Sequence, residues 1–122
     1  MNSRFDLADR LMDLAVSISH VVERLPHNRI GIHVARQLVR SCTAPVANYA
    51  EALGAESRRD FIHKMKLGLK ELRESQTWLK YSQRMQLVSC DEVEPNVQEC
   101  DELISIFVAS IQTAKKKLPK SK

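Results

Sequence analysis

Residues that reverse a chain are scarce here: three glycines and four prolines among 122 positions leave few turn-formers. Cysteine is scarce as well. Cys42, Cys90 and Cys100 form an odd set without metal-ligand spacing. With Cys90 and Cys100 both on one helix, a rise of about 15 Å would part them, beyond disulfide reach. The three are read as small buried hydrophobes in a reducing, cytoplasmic setting, and no apolar leader follows the first residues. No apolar run approaches the roughly 20 residues needed to cross a bilayer, because charges interrupt every amphipathic segment. A soluble chain without a membrane partner is expected.

Signatures of catalysis are also missing. His20, His27, His33 and His63 show neither the His-x-x-x-His nor the Glu-x-x-His spacing that puts two ligands on one helical face. There is no Gly-rich phosphate loop and no nucleophile elbow, and Cys42 has no nearby histidine to activate it. The expectation is no metal, no cofactor and no enzymatic activity. Aromatic side chains make up 5% of the chain, and only Tyr49, Trp78 and Tyr81 offer a polar edge, so stacking platforms for single strands are weakly supported. No helix-turn-helix, zinc-finger or RNA-recognition signature is present, which argues against base-specific reading.

What the sequence has in abundance is Leu, Ala, Lys, Glu, Arg and Gln, residues that lose little side-chain freedom in a helix. Apolar positions recur at three- and four-residue spacing in four segments. They run Leu7, Leu11, Leu14, Ile18, Val22, Leu25; then Ile30, Val34, Leu38, Cys42, Pro45, Tyr49; then Phe61, Met65, Gly68, Leu72, Ser75, Leu79. The last comprises Val97, Cys100, Ile104, Phe107, Ile111, Ala114 and Leu118. Capping-box pairs Ser3 with Asp6, Ser57 with Asp60 and Ser89 with Glu92 mark three starts, and Asn28 caps the remaining one. Helices over about 4–25, 29–53, 58–87 and 91–117 follow, joined by short connections. They form a single all-α domain, an up-and-down four-helix bundle. Pro45 lacks an amide hydrogen and crowds the Ser41 carbonyl, so the second helix is expected to kink or break there. Pro95 belongs near the first turn of the fourth. Gly68 and Ser75 leave little side chain between backbones and predict a tight crossing.

Charge is segregated by element. Residues 26–50 carry three arginines and no acid, residues 51–86 carry eight bases against five acids, residues 87–112 carry six acids and no base, and residues 113–122 carry five lysines. Two readings stay open. The basic helix pair is neutralised by an acidic helix of its own or an adjoining subunit, or the cations line a phosphate-binding surface. On the second reading the contacts come from Arg36, Arg40, Arg58, Arg59, Lys64, Lys66, Lys70 and Arg73, with Lys115, Lys116 and Lys117 of the tail. Apolar residues off the stripes, among them Val16, Val39, Leu53, Leu67 and Trp78, likewise belong either to a wider core or to a subunit interface.

Three stretches carry a resemblance: Gln37 to Ser41 (QLVRS), Pro45 to Glu51 (PVANYAE) and Ser57 to Phe61 (SRRDF), continued by Lys64 to Ser75 (KMKLGLKELRES) with Trp78 and Leu79. Together they resemble the signature of the 23S ribosomal RNA intervening-sequence protein family, over nearly the whole chain. The resemblance implies a four-helix bundle assembled as a homopentameric ring, found in bacteria, without established enzymatic activity. A related branch serves diversity-generating retroelements, where a basic pentamer binds a reverse transcriptase and nucleic acid. Where the family has Gly directly after the Glu, this chain has Ala52 after Glu51, with Gly54 later. Among matched residues, Pro45, Asn48, Glu51, Gly68 and Glu71 are read as determinants of fold or interface, with Asn48 expected to bond backbone groups freed around Pro45.

The resulting expectation is a non-enzymatic homo-oligomer whose partners are its own copies and structured RNA or DNA, or a nucleic-acid enzyme such as a reverse transcriptase. The alternative is a protein-interaction scaffold whose charges pair between subunits.

Overall fold

The computed structural model describes residues 6–119. Four helices account for nearly all of them: α1 Leu7–Glu23, α2 Arg29–Leu53, α3 Arg58–Arg84 and α4 Cys90–Lys116. Each packs on its neighbours in sequence and α4 closes against α1, while the backbones of the diagonal pairs stay apart. Short connections make consecutive helices antiparallel, so this is the up-and-down bundle expected from the periodicity.

Local chemistry sets the helix starts. Asp6 is the N-cap of α1 and accepts from the Asp9 amide at 3.2 Å; its expected partner Ser3 lies outside the described residues. Asn28 caps α2 by accepting from the Gly31 amide at 2.9 Å. Ser57 caps α3 by accepting from the Asp60 amide at 3.0 Å, while the Asp60 carboxylate turns to the Glu56 amide. The third capping box does not form. Ser89 is the N-cap residue of α4 without a side-chain cap bond: the Glu92 amide bonds the Ser89 carbonyl at 3.2 Å, and the Glu92 carboxylate pairs with Arg24 Nε at 3.0 Å.

Helix α2 runs unbroken through Pro45, whose ring is buried in the core. The expected break does not occur, since packing on both sides of the proline offsets the lost helical bond. Pro95 stands in the second turn of α4 rather than the first.

The core contains most of the striped residues, with Leu11, Ile18, Val34, Leu38, Met65, Leu72, Leu79, Cys100 and Phe107 almost fully buried. Each helix touches two neighbours, so its buried arc is wider than one stripe. Ile62, Val93 and Leu103 therefore join the core, Val21 is buried more deeply than Val22, and Phe61, Ile104 and Leu118 lie at its margin. Ile30 faces out, and Gly31 takes its place inward. A Cβ on Gly31 would lie 1.9 Å from the Pro26 carbonyl oxygen, so the α1–α2 corner closes only around glycine.

The end of α3 carries a strained residue that the sequence does not announce. Gln86 has φ of 56°, in the left-handed region that glycine occupies without penalty. The Leu87 amide bonds the Ser82 carbonyl and the Gln86 amide bonds that of Gln83, each at 3.0 Å, completing a Schellman turn. Gln86→Gly is expected to stabilise the fold by about 0.5–1 kcal/mol, read as a higher midpoint in urea unfolding. An unchanged or lower midpoint would show that the left-handed turn carries no strain.

Candidate nucleic-acid interface

The cations of α2 and α3 divide into two groups according to where α3 turns its acids. Glu71 and Glu74 lie on the flank of α3 that meets α2, and both reach Arg40: Nη1 to Glu71 Oε1 at 3.2 Å, Nη2 to Glu74 Oε2 at 2.6 Å, with Gln37 Oε1 accepting from Nη2 at 3.2 Å. Burial raises the Glu71 carboxyl above the ordinary carboxylate value, Glu74 beside it adds to the rise, and Arg40 opposes it. One turn inward, Ser75 donates to Ser41 Oγ at 2.8 Å, both fully buried. Further along the seam Lys64 pairs with Glu51 at 3.2 Å. Gly68 lets the Phe107 ring and Asn48 close in, for a Cβ there would stand 2.7 Å from Phe107 Cε2 and 3.5 Å from Asn48 Cβ. The tight crossing thus lies where it was expected.

These contacts gather the matched motif residues Gln37, Arg40, Ser41, Asn48, Glu51, Lys64, Gly68, Glu71, Glu74 and Ser75 on one helix seam. Their observed work is holding α2 against α3 and α4. Asn48 makes no side-chain hydrogen bond among the described residues, so steric fit against Gly68, rather than repair of the backbone around Pro45, describes its contact.

The opposite, outward face of α3 is different in kind. Arg59, His63, Lys66, Lys70, Arg73, Thr77, Lys80 and Arg84 recur at three-, four- and seven-residue spacing, which places them on one side of a helix, and all are exposed. Glu74 borders this face but turns to Arg40, and none of the face's lysines and arginines forms an ion pair among the described residues. From Arg59 to Arg84 the row extends about 38 Å at the helical rise per residue.

The end of α4 widens this ridge. Lys115 joins Arg59, His63 and Lys66 around a groove of about 280 Å³, whereas Arg58 and Lys117 line a separate depression. Lys116 is exposed. Three of the six acids of α4 are committed to α1. Glu99 and Glu102 clamp Arg10 at 2.8 and 2.9 Å, and Glu92 holds Arg24. Asp101 and Glu94 turn to α3, where they accept from the side-chain amides of Gln76 and Gln83, but no acid of α4 forms an ion pair with a ridge cation among the described residues.

Of the cations singled out from sequence, Arg59, Lys66, Lys70 and Arg73 lie on the ridge and Lys115 beside it, while Arg58 and Lys117 line a different depression and Lys116 is exposed elsewhere on α4. Arg40 and Lys64 do not join them, being tied to carboxylates on the α2 seam. Arg36 lies apart at the α1–α2 corner, near Pro26 and Gly31. Lys80 and Arg84 were missed, although they continue the same spacing by one further step each.

No cluster of three or more histidine, cysteine or acidic side chains is placed to hold a metal among the described residues, and no helix is long and apolar enough to cross a membrane. Cys42 and Cys100 are buried, whereas Cys90 at the α4 start is exposed, contrary to its reading as a core residue. Burial pushes the Cys100 thiol up to about 12 and raises that of Cys42. Since the thiolate is the reactive form, a maleimide should label one thiol, Cys90, in the native protein and three after denaturation, counted by intact mass. Native labelling of a second cysteine would show that the core opens readily.

The family of 23S rRNA-intervening sequence proteins matches the chain over residues 4–109. Among solved structures, a protein of unknown function from the S23 ribosomal protein family of Bacteroides thetaiotaomicron superposes with a TM-score of 0.80 at 28% identity. The match covers 86% of this chain and 97% of that one. No curated protein matches the sequence significantly.

Proposed function

The chain belongs to the 23S rRNA-intervening sequence protein family, and from that premise we propose that it is a non-enzymatic, self-associating bundle that binds structured nucleic acid along α3. The observation that carries this reading is the unneutralised ridge. An α3 that served the fold alone would scatter its acids over its exposed face, whereas here they turn to α2 and leave a one-sided row of cations. Such a row attracts phosphates by releasing their condensed counterions, without reading sequence.

Self-association has its own support on the far side of the bundle. Met12, Val16, Ile32 and Val39 are each 43–51% exposed. They flank the α1–α2 groove with Ala8, Ala35 and Val46 between them. Between residues 37 and 50 of α2 the sole charged side chain is Arg40, which turns to α3. A strip of this kind suits a second copy of the chain, in a ring of five on the family resemblance. Light scattering should give a multiple of 13.9 kDa, fivefold for the ring, and Val39→Asp should yield monomers of unchanged helicity. A wild-type monomer at micromolar concentration would overturn the self-association.

The deciding test for binding is fluorescence anisotropy of a labelled, structured RNA titrated at several salt concentrations, beside an equally basic helical protein. Binding tighter than the control, with log K linear in log salt, supports the ridge as the phosphate contact. Binding no better than the control favours the scaffold reading, in which the ridge meets acids of another protein.

A further inference from the structure

Three polar aromatic rings meet where α2 begins and α3 ends. Trp78, half-buried, receives the edges of His33 and Tyr81, with centroids 5.4 and 5.6 Å away and interplanar angles of 81° and 83°. His33 and Tyr81 are themselves exposed, as are Ile30 and Met85 about one turn beyond them on the same two helices. The contrast is Tyr49, which turns inward onto Phe107.

The polar groups of the cluster are unengaged. The Trp78 indole N–H, the Tyr81 hydroxyl and the His33 imidazole form no hydrogen bond among the described residues. The Trp78 N–H reaches water, since no buried side-chain nitrogen or oxygen is left without a partner, and His33 and Tyr81 are exposed residues. An aromatic cluster serving the fold alone would bury its rings and satisfy these groups within the chain.

Its surroundings are cationic. Tyr81, alone of the three rings, lines an open depression of about 600 Å³ together with Lys80 and Arg84, the last two cations of the ridge. The volume lies in the range of small-ligand sites. The acid on its wall, Glu94, accepts from the amides of Gln83 and Gln98 at 3.0 and 3.4 Å. An exposed ring, its free hydroxyl and adjoining cations together match one chemistry, a nucleotide: base on Tyr81, phosphate on Lys80 and Arg84. A wholly apolar protein surface would leave the ring donors unmatched.

We infer that Tyr81, held against Trp78 within this cluster, takes an unpaired nucleobase whose phosphate lies on Lys80 and Arg84, so that the chain favours nucleic acid with a single-stranded segment over a plain duplex. This rests on the ridge reading and adds the substrate class to it. A base paired inside a duplex cannot present its face to a ring, whereas a loop or overhang can.

Trp78 is the sole tryptophan of the chain, so its emission reports on this site alone. The probes are a single-stranded RNA oligonucleotide and the same sequence annealed into a blunt duplex, each followed by tryptophan emission and by anisotropy of an end label. The single strand should quench Trp78 saturably, with an anisotropy midpoint to match, while the duplex binds with little quenching. Tyr81→Leu, at an exposed position, should weaken single-strand binding by roughly tenfold and leave duplex binding unchanged. Equal quenching by both probes, or a variant that binds both as the parent does, would overturn the inference while the ridge reading stood. Failure of both probes to bind better than to a basic control protein would overturn both readings.

Discussion

Replacement of Arg59, Lys66, Lys70 and Arg73 together by glutamine will lower affinity for structured RNA by about two to four orders of magnitude near 0.1 M salt. The salt dependence of log K will flatten by up to about four units. Each lost cation removes one released counterion, so slope and affinity fall together; a loss of shape complementarity alone would lower affinity at constant slope. The four side chains are exposed and unpaired among the described residues, so the helical signal and the oligomer should survive. Arg40→Gln makes the opposite expectation. It breaks the pairs with Glu71 and Glu74, and since Arg40 is 54% exposed the stability loss is limited by solvent screening to about 1 kcal/mol. RNA affinity should be unaffected. If Arg40→Gln weakened binding as much as the four-site variant, the division between seam and ridge would be wrong. If the four-site variant lost its oligomer instead, the cations would be pairing between subunits.

That division was only half legible in the sequence. The periodicity of α3 specifies that Arg59, Lys66, Arg73 and Lys80 share a face, seven residues apart, and Lys70 and Arg84 fall beside them. What periodicity cannot specify is which face meets a neighbour, because that depends on acids three and four residues away meeting a cation on another helix. Arg40 and Lys64 therefore read as surface cations until α2 and α3 are placed together. One half of the α4 capping box was lost for a similar reason: Ser89 and Glu92 have its spacing, but Arg24 at the end of α1 takes the carboxylate. Gln86 escaped because its left-handed backbone is imposed by the turn into α4, without a glycine to mark it. Gly68 was legible, since a residue without a side chain amid a regular apolar stripe has few purposes other than close approach.

Gly68 also gives the sharpest test of the packing. Glycine in a helix interior costs about 1 kcal/mol relative to alanine, so Gly68→Ala would stabilise α3 if the site were open. It is not: the added methyl would meet Phe107 Cε2 at 2.7 Å, and the fully buried Phe107 ring has neighbours behind it. Overpacking of this kind costs about 1–3 kcal/mol, which outweighs the propensity gain. Gly68→Ala should therefore lower stability by about 1 kcal/mol, and Gly68→Leu by about 3 kcal/mol or more, measured by urea unfolding at one fixed protein concentration. Phe107→Leu removes the ring atom in question and should itself destabilise by about 2 kcal/mol through the space it leaves. The two changes fit each other, because the methyl introduced by Gly68→Ala enters the volume that the ring vacates. In the cycle of Gly68→Ala with Phe107→Leu, the double variant should be more stable than the sum of the singles by about 1–2 kcal/mol. Additive losses would mean that the ring swings aside freely, and that the glycine in this motif serves something other than the crossing of α3 with α4.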